Sequence, residues 1–574
     1  GRGGGNRPPY GFCFTLGTRR GRGEDSASSS GDVCEGSRDD VNGRCVRSSS
    51  SLGSGLVLLL VMVSLGGSTL ALGLSLRASS LVDVSLLTFL AAAVSLLRLS
   101  SSLRSLSVQP GTSAAGLDDV YYLPQTMMEP VPVTYDHRET DEVIFRVLCR
   151  RVRDLGFMQG YTLQGSEAMR LLRLAPENYD YPIFHHPPGF VLISLALESA
   201  LAIPYPAVPV LLSLATALST VLLARRMGLS RAGVLWSGLL SLSCPLQWWA
   251  SQKFWLDNAL TLLVALSFIP LAAIAVNEKS SSAAAASGRR RRWLYWNTFF
   301  AGIGLALALW CKVTALLSIP SHALCAIFGT GSAEGRMASN RSMRIRGVVN
   351  CLCIAAGTCV LLYGPWLVIY YQFTGHWLPL ALKPTLGMRS AAPFVDRAVE
   401  RPVHYYLTSL LSLNPVYGLA ALPPLTHRTH SILLKTGEYE DGGGSVRRRH
   451  AILSIWAISF LAGMSMVGFF GGGFQLRFLL PATPALSILA AEAVTSCKLL
   501  APHGPLIGAS LIAIGAMHSL YFGILFAPLH GEANGNIWDF ALTARSNPLS
   551  YPPSEEISRA SLSFLEHYGV SLDR

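Results

Sequence analysis

Residues 254–276 read FWLDNALTLLVALSFIPLAAIAV. One acid, Asp257, stands at the start, and no charged residue follows it as far as Val276. A membrane-spanning helix needs about 20 predominantly apolar residues, and this stretch supplies them. Lipid offers no partner to free backbone groups, so such a run is read as a helix. The acid then stands at the membrane edge, where an ionisable residue is either a helix cap or part of a functional site.

The same pattern recurs on both sides. Apolar segments of spanning or near-spanning length lie near 205–224, 231–247, 257–276, 293–310, 312–328, 347–370, 404–423, 451–470, 477–497 and 505–527. Two more, 55–76 and 81–97, precede them. Half of the 574 residues are apolar, the mean hydropathy is +0.39, and 14% are charged, against about 25% in an ordinary soluble protein. The expected fold is therefore all-α: a polytopic transmembrane helical bundle of about 11–12 spans, with interfacial helices in the first outer loop. A cytosolic enzyme, a nucleic-acid binder and a disordered scaffold are excluded by the same composition. The expected organisation is a disordered, low-complexity 1–54; one or two apolar segments and a linker over 55–135; an outer loop over 136–204; the bundle over 205–527; and a short lumenal tail over 528–574.

The net charge of +12 would suit nucleic acid, but its distribution says otherwise. With residues 141–187 outside and one crossing per segment, the inside loops are 225–231, 277–292, 329–346, 424–450 and 498–504. They hold 18 Lys and Arg against 5 Asp and Glu. From Asp136 onward the outside holds 17 of each, leaving aside Glu198 and Glu492 within apolar segments. Basic runs such as Arg289 to Arg292 and Arg447 to Arg449 thus fall on the cytoplasmic side, as the positive-inside rule requires. The partner read from this excess is the bilayer, not nucleic acid.

Candidate chemistry concentrates outside. TDEVIFRVLCRRVRDL (140–155) reads as an amphipathic helix. Val143, Ile144, Val147, Leu148 and Val152 fall on one side, and Arg146, Arg150 and Arg153 on the other. Thr140 suits the N-cap, and Asp141 and Glu142 suit the first turn. Farther on, HHPPGF (185–190) places His185 and His186 before two helix-starting prolines. GFVLISLALESALAI (189–203) is too short to span and carries Glu198, so it is expected at the outer interface or half buried. Lys253 lies four residues before Asp257 and is suited to phosphate. The cysteines show neither a disulfide framework nor zinc spacing, and Cys351-x-Cys353 reads as helix packing.

The order of these features resembles the polytopic GT-C glycosyltransferases, in particular the group holding the dolichyl-phosphate-mannose–protein mannosyltransferases and the aminoarabinose-type lipid A transferases. TDEVIF, HHPPGF and FWLDNALTLL follow one another as that family's acidic pair, its two-proline helix start and its Asp-led span do. GIGLALALWCKVTALLSIP (302–320) is similar to its glycine-rich span ending in Lys. GPWLVIYYQFTGHWLP (364–379), RPVHYYLTSLLSLNPVYGLAAL (401–422) and FQLRFLLPATPALSILAAEA (474–493) are similar to its later segments. The resemblance covers about residues 135–500. It departs where His186 replaces the Lys that often precedes the prolines and where Phe478 replaces the usual Tyr.

The resemblance implies transfer of a sugar from a polyprenyl (dolichyl) phosphate donor to a glycan, protein or lipid acceptor, with inversion in a single displacement. Asp141 is then the base, Glu142 orients the loop or shares the role, and Asp257 positions the acceptor or, in metal-using members, helps hold a divalent cation. The phosphate falls to Lys312, Arg401 and Arg477 with Lys253, His185 and His186. No cofactor is firmly implied; some members use a divalent cation. The serine- and alanine-rich inner loop points to a eukaryote and so to the endoplasmic reticulum, with the plasma membrane the bacterial counterpart. The alternative is a polytopic secondary transporter, which predicts internal repeats and ionisable residues at the bilayer midplane.

Overall fold

The computed structural model describes residues 140–161, 186–205, 207–251, 253–276, 287–333, 341–377, 443–467 and 476–496, with shorter pieces at 404–423 and 503–510. The expected disordered N-terminus, the segments at 55–76 and 81–97 and the tail over 528–574 lie outside the described residues, as does most of 505–527. Every regular element among the described residues is helical. Among the described residues, six helices are long and apolar enough to cross a membrane. The chain is an all-α, multi-pass membrane protein.

Helix α1 (Thr140–Leu155) and the single turn α2 (Phe157–Gly160) come first. Ile144, Val147, Leu148 and Val152 are buried, as the periodicity predicts. Phe145 packs edge-on against Phe190, 5.3 Å between ring centroids. This contact carries the covered arc past the predicted stripe, and Arg146, expected on the polar side, is buried as well. The helix includes Thr140 itself, one residue before the expected start.

Helix α3 (Gly189–Leu201) is the expected short outer helix. Its first three residues are buried and its C-terminal end is exposed. Arg153 of α1 donates to Glu198 at 2.6 Å, and the Tyr205 hydroxyl donates to the other Glu198 oxygen at 2.7 Å. Glu198, the acid that made 189–203 a poor span, is thus the tie between α1 and α3. Ala202 ends α3 in the left-handed region.

Helix α4 (Ala207–Arg226) is apolar all round and largely buried, as a central helix should be. Its last turn carries Arg225 and Arg226, favourable at the negative end of the helix dipole. Gly228, with φ 77, ends it. Leu229 N–H bonds to Ala224 C=O and Gly228 N–H to Arg225 C=O, the two bonds of a Schellman motif. Ser230 then caps α5 (Arg231–Leu242), its hydroxyl accepting from Gly233 N–H at 3.2 Å. Four residues, MGLS, thereby reverse the chain.

One expected span is corrected. Residues 231–247 were expected as a single crossing, but α5 stops at Leu242 and α6 (Pro245–Ser251) is separate. Pro245 is the cause: it donates no N–H and disfavours helix at the residue before it. At 12 residues α5 extends about 18 Å; α6 carries the chain on to the Asp257 end, where Ala250 C=O accepts from the Asn258 amide, so two helices make the passage rather than one.

Helix α7 (Leu256–Val276), the stretch first quoted, lies at the centre. It packs against α4, α8 (Ser287–Cys311), α9 (Ile319–Ala333) and the 3-10 turn Leu476–Ala482. Gly304 of α8 sits directly on the Ser267 backbone of α7. At mid-bundle, His322 of α9 bonds through Nε2 to the Ser267 hydroxyl and through Nδ1 to Ser318 C=O, both 2.9 Å. Its ring stacks on Phe268, which stacks in turn on Trp456.

Helix α10 (Arg341–Thr374) presents Leu352, Val360, Leu361 and Val368 outward, as a lipid-facing helix would. Cys351 is buried and Cys353 exposed, so the pair faces two ways. The short turn α11 (Val416–Leu419) lies in the partly described 404–423 segment. Helices α12 (Gly443–Val467) and α13 (Thr483–Ser496) complete the bundle.

Candidate active site

Three charged residues far apart in sequence meet at one end of the bundle. Asp257 opens α7, Lys312 follows α8, and Arg477 precedes α13. Lys312 Nζ donates to Asp257 Oδ1 at 2.8 Å. Arg477 Nε lies 3.7 Å from Asp257 Oδ2, an ion-pair distance beyond hydrogen-bond reach. Oδ2 has no hydrogen-bond partner among the described residues. All three side chains are buried, Asp257 at 1% exposure. Charges so placed interact far more strongly than in water.

Local structure fixes each one. The Asn258 side-chain amide donates to the Ala250 and Lys253 carbonyls at 2.8 and 3.3 Å. It thereby folds the 250–255 loop over the start of α7, and the Thr261 hydroxyl bonds to Asp257 C=O at 2.7 Å. Lys312 has extended backbone between α8 and the 3-10 turn Val313–Ser318, so the helical path breaks at that residue. Aromatic rings wall the cations. Lys312 Nζ stands 3.8 Å from the Phe478 ring centroid, and the Arg477 guanidinium 4.5 Å from that of Trp255.

Of the candidates read from the sequence, Asp257, Lys312 and Arg477 come together. Lys253 is buried in the loop beside Asp257. His186 lies at the start of α3, where its carbonyl accepts from the Tyr161 hydroxyl at 2.8 Å. Asp141 and Glu142 occupy the first turn of α1; their side chains, like His185 and Arg401, lie outside the described residues. Trp255, Phe478 and Asn258 were missed as site residues. Trp255 and Asn258 flank Asp257 in sequence, and Phe478 was noted only as a departure.

A second charged cluster occupies the opposite end. Arg449 of α12 forms a two-bond ion pair with Glu492 of α13, and His450 Nε2 lies 3.1 Å from the same carboxylate. Arg449 also donates to Met227 C=O at 2.9 Å, capping the end of α4. The run Arg447 to Arg449 was expected in a solvated loop. Arg447 is exposed, but Arg449 is buried because Glu492 faces it.

Asp257 does not fit as a metal ligand, because its carboxylate is flanked by two cations, Lys312 and Arg477, which already balance its charge. Burial pushes the Cys149 thiol well above its ordinary value.

No family model and no curated protein matches the sequence. Solved structures similar in fold include ArnT from Cupriavidus metallidurans bound to undecaprenyl phosphate. It is 14% identical, with 76% of this chain and 73% of that chain covered and a TM-score of 0.43. Another is AglB, an archaeal oligosaccharyltransferase from Archaeoglobus fulgidus, in complex with an inhibitory peptide and a dolichol-phosphate. It is 12% identical, with 83% and 59% covered and a TM-score of 0.41. A third is the S. cerevisiae protein O-mannosyltransferase Pmt1-Pmt2 complex bound to the sugar donor, 16% identical, with 51% and 34% covered and a TM-score of 0.32.

Proposed function

We propose that the chain is a membrane glycosyltransferase using a polyprenyl-phosphate sugar, dolichyl phosphate in the endoplasmic reticulum, and an acceptor hydroxyl at the outer face. The observation that carries this reading is the convergence of Asp257, Lys312 and Arg477, buried and walled by aromatic rings, at the end of the bundle opposite the arginine-rich one. The ordered sequence motifs support it.

In the proposed reaction the acceptor oxygen forms a bond to the anomeric carbon as the bond to the phosphate oxygen breaks. The electron pair leaves with the phosphate, and the acceptor proton passes to Asp141. Glu142 supports it. Lys312 and Arg477, with Lys253, His185, His186 and Arg401, stabilise the departing phosphate, where cations aimed at developing charge act most strongly. Asp257 holds two of those cations in place, and its Oδ2 accepts a hydrogen bond from the acceptor.

The test is transfer by purified protein from a panel of dolichyl-phosphate sugars, compared with Asp141→Asn. Transfer by wild type and none by a monodisperse Asp141→Asn preparation is expected. Wild-type-like transfer by the variant removes Asp141 from the mechanism. No transfer from any donor overturns the reading.

A further inference from the structure

Gly189 is the first residue of α3, and it lies against the end of α8. A Cβ there would stand 2.6 Å from the Trp310 carbonyl oxygen, 2.7 Å from its carbon and 3.0 Å from Cys311 N. These are backbone atoms, which cannot swing aside as a side chain can. The next residue is Lys312, where the chain turns from helix to extended backbone before the 3-10 turn. Lys312 N–H still bonds to Ala308 C=O at 2.9 Å, so its backbone direction follows the last turn of α8. That turn is held from a second side, where the Trp310 indole donates to Leu362 C=O of α10 at 2.8 Å.

The α3 end of this contact is itself anchored. His186 C=O accepts from Tyr161, and Phe190 is fully buried between Phe145 and Phe254. Glu198 fastens the far end of the helix to Arg153 and Tyr205. We infer that Gly189 is a positioning residue for Lys312: the outer helix α3, through its bare backbone contact with Trp310 and Cys311, sets the point from which Lys312 reaches Asp257. The glycine serves close approach, since its φ is not in the left-handed region.

The consequence for turnover rests on the transferase reading; the positional coupling does not. Gly189→Ala is therefore read in two ways. The first is acylation of the Lys312 amine by a small activated ester in detergent, which forms the amide as the ester's alcohol component leaves, followed by mass spectrometry. Lys312 is buried on Asp257 in the wild type, and its labelling rises severalfold in the variant. The control is Gly302→Ala, whose Cβ meets Thr358 and Ala355 of α10 at 3.0–3.2 Å on the same helix α8, away from its end. It costs stability but leaves Lys312 labelling unchanged. The second reading is kinetic. Misplacement of a charged group by about 1 Å costs on the order of 100-fold in rate, so Gly189→Ala lowers kcat/KM for the polyprenyl-phosphate sugar far more than Gly302→Ala does.

Unchanged labelling in folded Gly189→Ala, or an equal rise in both variants, overturns the inference. If wild type transfers no sugar, the functional reading fails while the labelling still tests the coupling. If Gly189→Ala does not accumulate, Glu198→Gln loosens α3 without adding an atom near Lys312. Labelling then rises, and no rise in that folded variant also overturns the inference.

Discussion

Asp257 is one carboxylate between two cations, and that arrangement makes its removal informative. Asp257→Asn keeps the shape and removes the charge that holds Lys312 and Arg477. Transfer is expected to fall by about two orders of magnitude, the usual loss when a preorganised electrostatic partner is removed. The variant should elute as the wild type does. Rates within a fewfold of wild type would remove Asp257 from the site. The sequence pointed to Asp257, Lys312 and Arg477 because each is a lone charge beside an apolar run. Their meeting was not legible, since it depends on how α7, α8 and α13 pack. The aromatic walls were hidden for another reason: Trp255 and Phe478 look like any other apolar residue of a span. Arg449 misled in the opposite sense. In a run of three arginines it reads as solvated, and only the facing Glu492, 43 residues on, makes it a core residue.

Helix ends were more legible than helix continuity. The MGLS reversal between α4 and α5 uses a glycine that must adopt φ 77. Gly228→Ala forces a side chain into that region and should cost about 1 kcal/mol or more. Thermal unfolding in detergent is expected to fall without a change in transfer, because the turn lies at the end away from Asp257. An unchanged midpoint would mean the turn relaxes freely. The break between α5 and α6 was written in the sequence as Pro245, yet the apolar run around it favoured one span. Hydropathy counts apolar residues and does not see a missing donor. Pro270 in α7 and Pro365 in α10 show why proline alone could not decide, since both helices run through them.

At the scale of the molecule, two charged clusters mark the two ends of one bundle. The proposed sidedness puts the Arg449–Glu492 end in the cytosol. A cysteine replacing Gly442, with native accessible thiols blocked, should be labelled only from the cytosolic side. Labelling from the lumen would reverse the assignment. Breaking the Arg449 cluster should be costly. Glu492→Gln leaves a buried guanidinium without its carboxylate, a loss of about 3–5 kcal/mol. Replacing Arg449 and Glu492 together by Met should recover much of the lost thermal stability. A single variant as stable as the wild type would show that the pair is dispensable.

The segment from Arg477 through α13 is tied at both ends, to Asp257 of α7 before its first turn and to Arg449 of α12 near its last. The two ties are 15 positions apart in sequence, about 20 Å along a helix. A helix pinned at one end can tilt or slip by a turn; one pinned at both can do neither without releasing an ion pair. This segment is therefore a fixed strut.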